Sequence, residues 1–179
     1  LRGVTRLHVA AMAVDHGYNS KFVEDYVMPR QSQKVFAVKG SSTPAGPLVG
    51  KPSQKSISKG FYLFPVGTDT AKEIVMRRLE IENPGPEYCH FKYNNEDEYF
   101  EMLTAEEKIT KHKKGVKYYE WRKKRVNARN EALDCRVYNH AAKTILKPRF
   151  DIIRKKMLAR EKFVINSTQS DNAKRKKTI

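Results

Sequence analysis

Apolar residues recur along this chain at two periods, and the changes from one to the other outline its elements. Leu7-His8-Val9-Ala10-Ala11-Met12-Ala13-Val14 is almost continuously apolar, the pattern of a strand buried on both faces. The run stops at Asp15-His16-Gly17, and Ser20 is placed to cap a helix that reaches about Met28, just before Pro29. Shorter apolar runs over residues 33–38 and 61–66 predict two further strands, the first closed by Lys39-Gly40. Between them, residues 40–59 are rich in Ser, Pro, Gly and Lys and have no period. A long mobile loop is expected there, of a length often tied to function. Thr68 or Asp69 would cap a helix reaching about Ile81, with Ile74, Val75, Met76 and Leu79 turned inward.

Asn83-Pro84-Gly85-Pro86 breaks the pattern. Beyond it the sequence predicts a short strand over residues 88–92. A helix near 96–103 follows, packing through Tyr99, Phe100 and Leu103. Two β-type runs, about 105–112 and 116–122, meet at Lys113-Lys114-Gly115 as a hairpin. The clearest helical signal is Leu133, Val137, Ala141 and Ile145, every fourth residue within 130–146, ahead of Pro148. A second helical stretch over 150–163 carries Ile152, Ile153, Met157 and Leu158 among many basic residues. The last dozen residues, ending Lys174-Arg175-Lys176-Lys177, read as disordered. Strands alternating with helices, plus a hairpin, predict an α/β domain with a mixed sheet over residues 1–147, then a basic helix and tail over 148–179.

Composition changes this picture mainly in what it says about partners. Lys and Arg number 36 against 20 acidic residues, a formal charge of +16, so a polyanion is the natural partner. At 39% hydrophobic residues the core is lean. The two cysteines, Cys89 and Cys135, make neither a disulfide framework nor a metal spacing, which suits a reducing compartment. No apolar run approaches the roughly 20 residues a membrane span needs. The chain opens at Leu1 rather than Met, directly ahead of a strand-like run, and reads as a piece of something longer.

Two carboxylates stand out by position. Asp15 closes a buried strand, where open α/β sheets place their active sites. Asp134 lies beside the apolar stripe of the clearest helix, with Glu131 one turn earlier. Carboxylates gathered from separate elements suit Mg²⁺ or Mn²⁺, and two such ions would stabilise both oxygens of a phosphodiester cleavage. The plainer reading makes Asp15 a turn or cap residue and Asp134 a solvated one. Ala45 to Pro52 departs from a phosphate-binding loop at both ends and no helix is expected after it, so nothing here supports an ATPase. His16 is placed to touch a scissile phosphate, and Cys135 has no partner His at triad spacing. Lys111, Lys113, Lys114, Lys117, Arg122, Lys123, Lys124, Arg125 and Arg129 surround Tyr118, Tyr119 and Trp121. That interleaving can follow a phosphate backbone, with Trp121 expected in the core.

Trp121-Arg122-Lys123-Lys124, Asn130-Glu131-Ala132-Leu133-Asp134-Cys135-Arg136-Val137-Tyr138 and Ala141-Ala142 resemble the closing signature of the lambda-type terminase large subunit, the GpA family. Val14 to Tyr18, Phe36 to Gly40, Val66 to Lys72, His90-Phe91 and the stretch from Tyr99 to Glu106 are similar to its earlier blocks, in order. The resemblance covers roughly residues 7–146. It implies an RNase H-like nuclease that cuts concatemeric viral DNA during packaging in the cytoplasm of a bacterial host. The expected partners are double-stranded viral DNA, the terminase small subunit and the portal or prohead. In that fold Asp15 would be the second metal carboxylate and Asp134 the third, with Glu131 as support. The first carboxylate, and an ATP-driven motor, would lie upstream of Leu1, which leaves open whether the isolated piece is an active endonuclease or an inactive fragment. His16 and Tyr18 depart from the small residues the family has after its strand-end Asp. The alternatives are a non-catalytic DNA-binding or docking module, and an RNase H-like recombinase fragment, against which the terminase-type signature argues.

Overall fold

The computed structural model describes residues 8–41, 43 and 46–159. Three parallel strands, β1 (Met12–Asp15), β2 (Val35–Ser41) and β3 (Leu63–Gly67), form a sheet in the order β1-β2-β3. Helix α1 (Ser20–Val27) and a 3-10 turn (Met28–Gln33) connect β1 to β2. A long connection carrying the short helix α2 (Gln54–Ser58) leads to β3. Helices α3 (Thr68–Leu79) and α4 (Asp97–Leu103), the hairpin β4 (Glu106–Lys113) and β5 (Val116–Lys123), and helix α5 (Glu131–Leu146) follow. The expected α/β class holds. Its two kinds of strand occupy separate sheets among the described residues, because β4 and β5 pair only with each other.

Strand alternation explains the layering. Ala37 and Val38 are neighbours on β2, both fully buried, and they enter opposite cores. Ala37 and Val35 pack with Val23, Val27 and Phe61 on the α1 side. Val38 and Val66 pack with Ala71, Val75, Leu103, Leu133, Val137 and Ala141 on the side of α3, α4 and α5. Burial of a residue such as Leu103 or Leu133 contributes about 2 kcal/mol. Within α3 the fully buried positions are Ala71 and Val75, with Met76 and Leu79 packed at the rim. Ile74, expected to face inward, is half-buried outside both clusters.

Several local expectations are corrected. The first strand begins at Met12, not Leu7, because its ladder needs β2, whose first residue Val35 pairs with Met12. Leu7 itself lies outside the described residues. The cap of α1 is Asn19, whose side chain accepts from the Phe22 amide, while the Ser20 hydroxyl donates to the His16 carbonyl. In the stretch expected to be a mobile loop, the described residues 48–53 are pinned to β3. Gly67 and Gly50 amides donate to the Leu48 and Pro65 carbonyls at 3.1 and 2.8 Å, and Ser53 donates to Leu63. A side chain at Gly50 or Gly67 would collide with Pro65 or with the Pro47 carbonyl, at 2.7 and 2.5 Å. Ser53 then caps α2, so a helix does follow Pro52. Residues 88–92 form no strand. Phe91 instead stacks edge-on against Tyr99 and Phe100 of α4, so the segment joins the core through side chains rather than backbone.

The chain divides into two compact units, Leu1–Leu146 and Lys147–Ile179. In the second, residues 150–159 are helical, and the rest of the expected helix and the basic tail lie outside the described residues.

Candidate active site

The site is assembled at the carboxyl ends of the parallel strands. Asp15 closes β1 two residues after Ala13, so it faces the same side as Ala13, which packs toward α5. The Gly17 amide donates to its Oδ1 at 2.9 Å, a local turn that holds the carboxylate at the sheet edge. A Cβ on Gly17 would lie 3.1 Å from that oxygen, so a larger residue there would displace the Asp15 carboxylate by a few tenths of an ångström.

Helix α5 brings its polar flank opposite. The buried row Leu133, Val137 and Ala141 anchors it, and Asn130, Asp134 and Tyr138, four residues apart, form the adjoining row. Asp134 is half-buried, and its carboxyl is raised above the usual carboxylate range, first by burial, then by the charges of Glu106 and Asp15 against the pull of Lys72. The Tyr138 hydroxyl is pushed up to about 12, by burial first and then by the Asp15 and Asp134 charges. Both groups thus lie in the field of Asp15. Gly40 leaves room here, since a Cβ there would lie 3.9 Å from the Tyr138 hydroxyl and 3.1 Å from Thr68 Cγ2.

A second tier lies behind Asp134. Asn130 Nδ2 donates to Asp134 Oδ2 at 3.2 Å and to Glu106 Oε1 at 2.7 Å. Lys72 Nζ, from α3, donates to Glu106 Oε2 at 2.6 Å. Glu106 is buried at 6% exposure on the first residue of β4, and Lys72 is 13% exposed at its side chain. Glu106 and the role of Lys72 escape sequence reasoning, because nothing local separates Glu106 from its neighbours. Asn130 and Tyr138 are legible as the residues one turn either side of Asp134.

Glu131, expected to support the metal, is exposed on the first turn of α5, where Arg129 Nε lies 3.3 Å from its Oε2. Its carboxyl is lowered, mainly by its own backbone amide at the helix start, and it is not among the charges that act on Asp134. His16 does not stand beside Asp15 in the site. It is buried on the opposite face, against Phe61, with Nε2 3.3 Å from Glu24 Oε1, because alternation sends consecutive residues to opposite sides. Cys135 is exposed. Among the described residues no three His, Cys, Asp or Glu side chains come together in a metal cage.

The basic residues lie on and after the hairpin. Lys114 and Gly115 take φ 50° and 78°, the tight two-residue turn whose twist suits a hairpin. Lys113, Lys114, Lys117, Lys123, Lys124 and Arg125 are exposed and have no acidic partner among the described residues. Arg122 is engaged with Glu107 across the hairpin, and Arg129 with Glu98 and Glu131. Tyr118 and Tyr119 are exposed, with Lys108 and Lys117 over the Tyr119 ring at 4.2 and 5.2 Å. Trp121 is half-buried and belongs to neither core cluster, so the expected core packing is only partial.

The family model for the terminase large subunit gpA, endonuclease domain, matches residues 2–157. The chain belongs to this family. Among curated proteins it is similar to the terminase large subunit of Escherichia phage lambda, 37% identical over 134 residues, covering 70% of this chain and 20% of that protein. It is also similar to the terminase large subunit of Enterobacteria phage P21, 38% identical over 117 residues, 61% of this chain and 18% of that protein. The chain thus spans about a fifth of the length of these relatives. No solved structure matches it. The gpA match takes in every element of the site, from Asp15 through the hairpin to Tyr138. No helix among the described residues is long and apolar enough to cross a membrane.

Proposed function

We propose that this gpA-family domain is a metal-dependent DNA endonuclease, RNase H-like in its use of a strand-end and a helix-borne carboxylate, which cuts concatemeric phage DNA as genomes are packaged. The observation that carries the reading is that helix α5 packs against β1, which brings Asp134 on the helix flank to the strand end that carries Asp15, far away in sequence. Family membership gives the site its nuclease context.

The donor set suits a hard divalent cation. Both residues offer carboxylate oxygen, and burial, then the Glu106 and Asp15 charges, raise the Asp134 carboxyl, a cost that a bound cation would relieve. Mg²⁺ keeps several waters and is held by as few as one or two carboxylates, so a three-residue cage is not required of this chain. Asp15 and Asp134 would hold Mg²⁺ or Mn²⁺. Bound there, the ion would supply an activated water and charge stabilisation for phosphodiester hydrolysis. Lys123 at the end of β5, with Lys124 and Arg125 just after it, would hold the DNA backbone, and Lys113, Lys114 and Lys117 would extend that grip to the hairpin tip. A terminase small subunit and the portal or prohead are the partners of this reading.

The test uses the full-length protein carrying this domain, with plasmid or concatemeric DNA and Mn²⁺ or Mg²⁺. Asp15→Ala and Asp134→Ala are expected to lose cleavage and keep DNA binding. Cleavage retained in both variants would overturn the metal-site reading. Salt-sensitive binding with no cutting by any version would instead favour a docking module.

A further inference from the structure

The polar tier behind Asp134 is buried at Glu106, and it joins three elements that are remote in sequence. Glu106 is buried at the base of the hairpin, and both its oxygens are occupied, Oε2 by Lys72 of α3 and Oε1 by Asn130 at the start of α5. The acceptors fix how the Asn130 amide must lie. Two anionic carboxylates flank it, so its NH₂ faces both and one hydrogen goes to each. Asn130 is also held by its backbone, since its carbonyl accepts from the Asp134 amide at 3.0 Å. Asp134 itself forms no ion pair among the described residues, and the Lys72 ammonium is committed to Glu106 at 2.6 Å.

We infer that Asn130, clamped by the Lys72–Glu106 pair, is a positioning residue that fixes the Asp134 carboxylate in the orientation needed to hold a divalent cation. The inference rests on the nuclease reading and adds a task to residues that reading leaves unused. Glu106 is buried and bonded through each of its oxygens to protein donors, which gives it a supporting task behind Asp134. It holds the Lys72 ammonium at 2.6 Å, so that this lysine is paired with Glu106 rather than with Asp134. Outer groups that orient metal-binding carboxylates are commonly worth 10–100-fold in metal affinity or activity.

The experiment titrates Mn²⁺ against plasmid cleavage by the full-length protein, and measures Mn²⁺ binding directly from the electron paramagnetic resonance signal of the free ion. For Asn130→Ala the Mn²⁺ concentration for half-maximal cleavage and the Mn²⁺ dissociation constant should both rise about 10-fold or more, with most of the rate recovered at saturating Mn²⁺. Loss of the donor to buried Glu106 should lower its melting temperature without metal by a few degrees, yet cleavage should still recover with added Mn²⁺, whereas a merely structural residue would depress cleavage at every metal concentration and leave the Mn²⁺ dissociation constant unchanged. Glu106→Gln keeps the size of the side chain and releases Lys72 toward Asp134, and it should move the Mn²⁺ requirement in the same direction. Asp134→Ala is the reference and should neither cleave nor bind. An unchanged Mn²⁺ requirement in Asn130→Ala and Glu106→Gln, beside an inactive Asp134→Ala, overturns the positioning role alone. Wild-type cleavage by Asp134→Ala overturns the nuclease assignment and the positioning role together.

Discussion

The strand-end site and the β4–β5 hairpin are both rich in charge, and they use it in opposite ways. At the site the charges are few, shielded and interlocked, with Lys72, Glu106, Asn130 and Asp134 forming one chain of donors and acceptors. On the hairpin they are many and exposed. The cross-strand pairs Lys111–Glu120 and Arg122–Glu107 lie at 2.7 and 2.9 Å, but their side chains are about half open to water. Solvent screens the second kind, and exposed pairs contribute little each. Breaking a buried pair strands a charge that water cannot reach. Charge therefore builds a geometry at the site and spreads a field over the hairpin.

The sharpest way to break this contrast is Glu106→Ala, which leaves Lys72 unpaired while shielded. It should cost about 3–5 kcal/mol in urea unfolding. Arg122→Ala, which breaks an exposed pair, should cost under about 1 kcal/mol, and equal costs would erase the distinction. Next comes Asp134→Asn. A carboxyl raised above its unfolded value disfavours folding once pH rises through the raised value, so removing the charge should raise the neutral-pH melting temperature in the absence of metal. A lower melting temperature would show that the carboxylate is already compensated.

His140 gives a titration of the opposite sign. Burial, then Arg78 and other cations, lower it from 6.5 to about 4, and as the neutral ring it accepts from Arg78 Nη1 at 3.3 Å. Between those values the unfolded chain binds the proton and the folded one does not, so stability should fall as pH drops from about 6.5 toward 4. His140→Gln should flatten that slope in melting curves. On the hairpin, Lys113→Ala, Lys114→Ala and Lys117→Ala combined should leave melting nearly unchanged. For every lysine among them that neutralises a DNA phosphate, the slope of log affinity against log salt should become shallower by about 1. An unaltered salt slope would move the DNA-binding surface to the segment after the hairpin.

Much of the fold is legible in the sequence because its signals are local. The hairpin shows itself through Lys114-Gly115 between two β-type runs, and α5 through Leu133, Val137 and Ala141. Residues 88–92 mislead because Tyr88, His90 and Phe91 suit a strand, while their fate depends on where α4 offers a surface to pack on. The loop before β3 looks unpaired for the same reason. Its partners are backbone groups of β3, and the sequence carries no mark of them beyond Gly50 and Gly67. In the site, Asp15 and Asp134 are visible from their places on a strand end and a helix flank, whereas Glu106 is one acid among several.

By itself the sequence determined the elements, the surplus of positive charge and the two carboxylates with family-like surroundings. These depend on neighbours within a few turns or on simple sums. Only the tertiary structure decided which acids share a field, that Glu131 turns to Arg129 while Glu106 turns to Asn130, and that His16 faces away from Asp15. Those outcomes depend on long-range packing, on strand parity and on which oxygen finds a donor within 3 Å, and no local pattern encodes them.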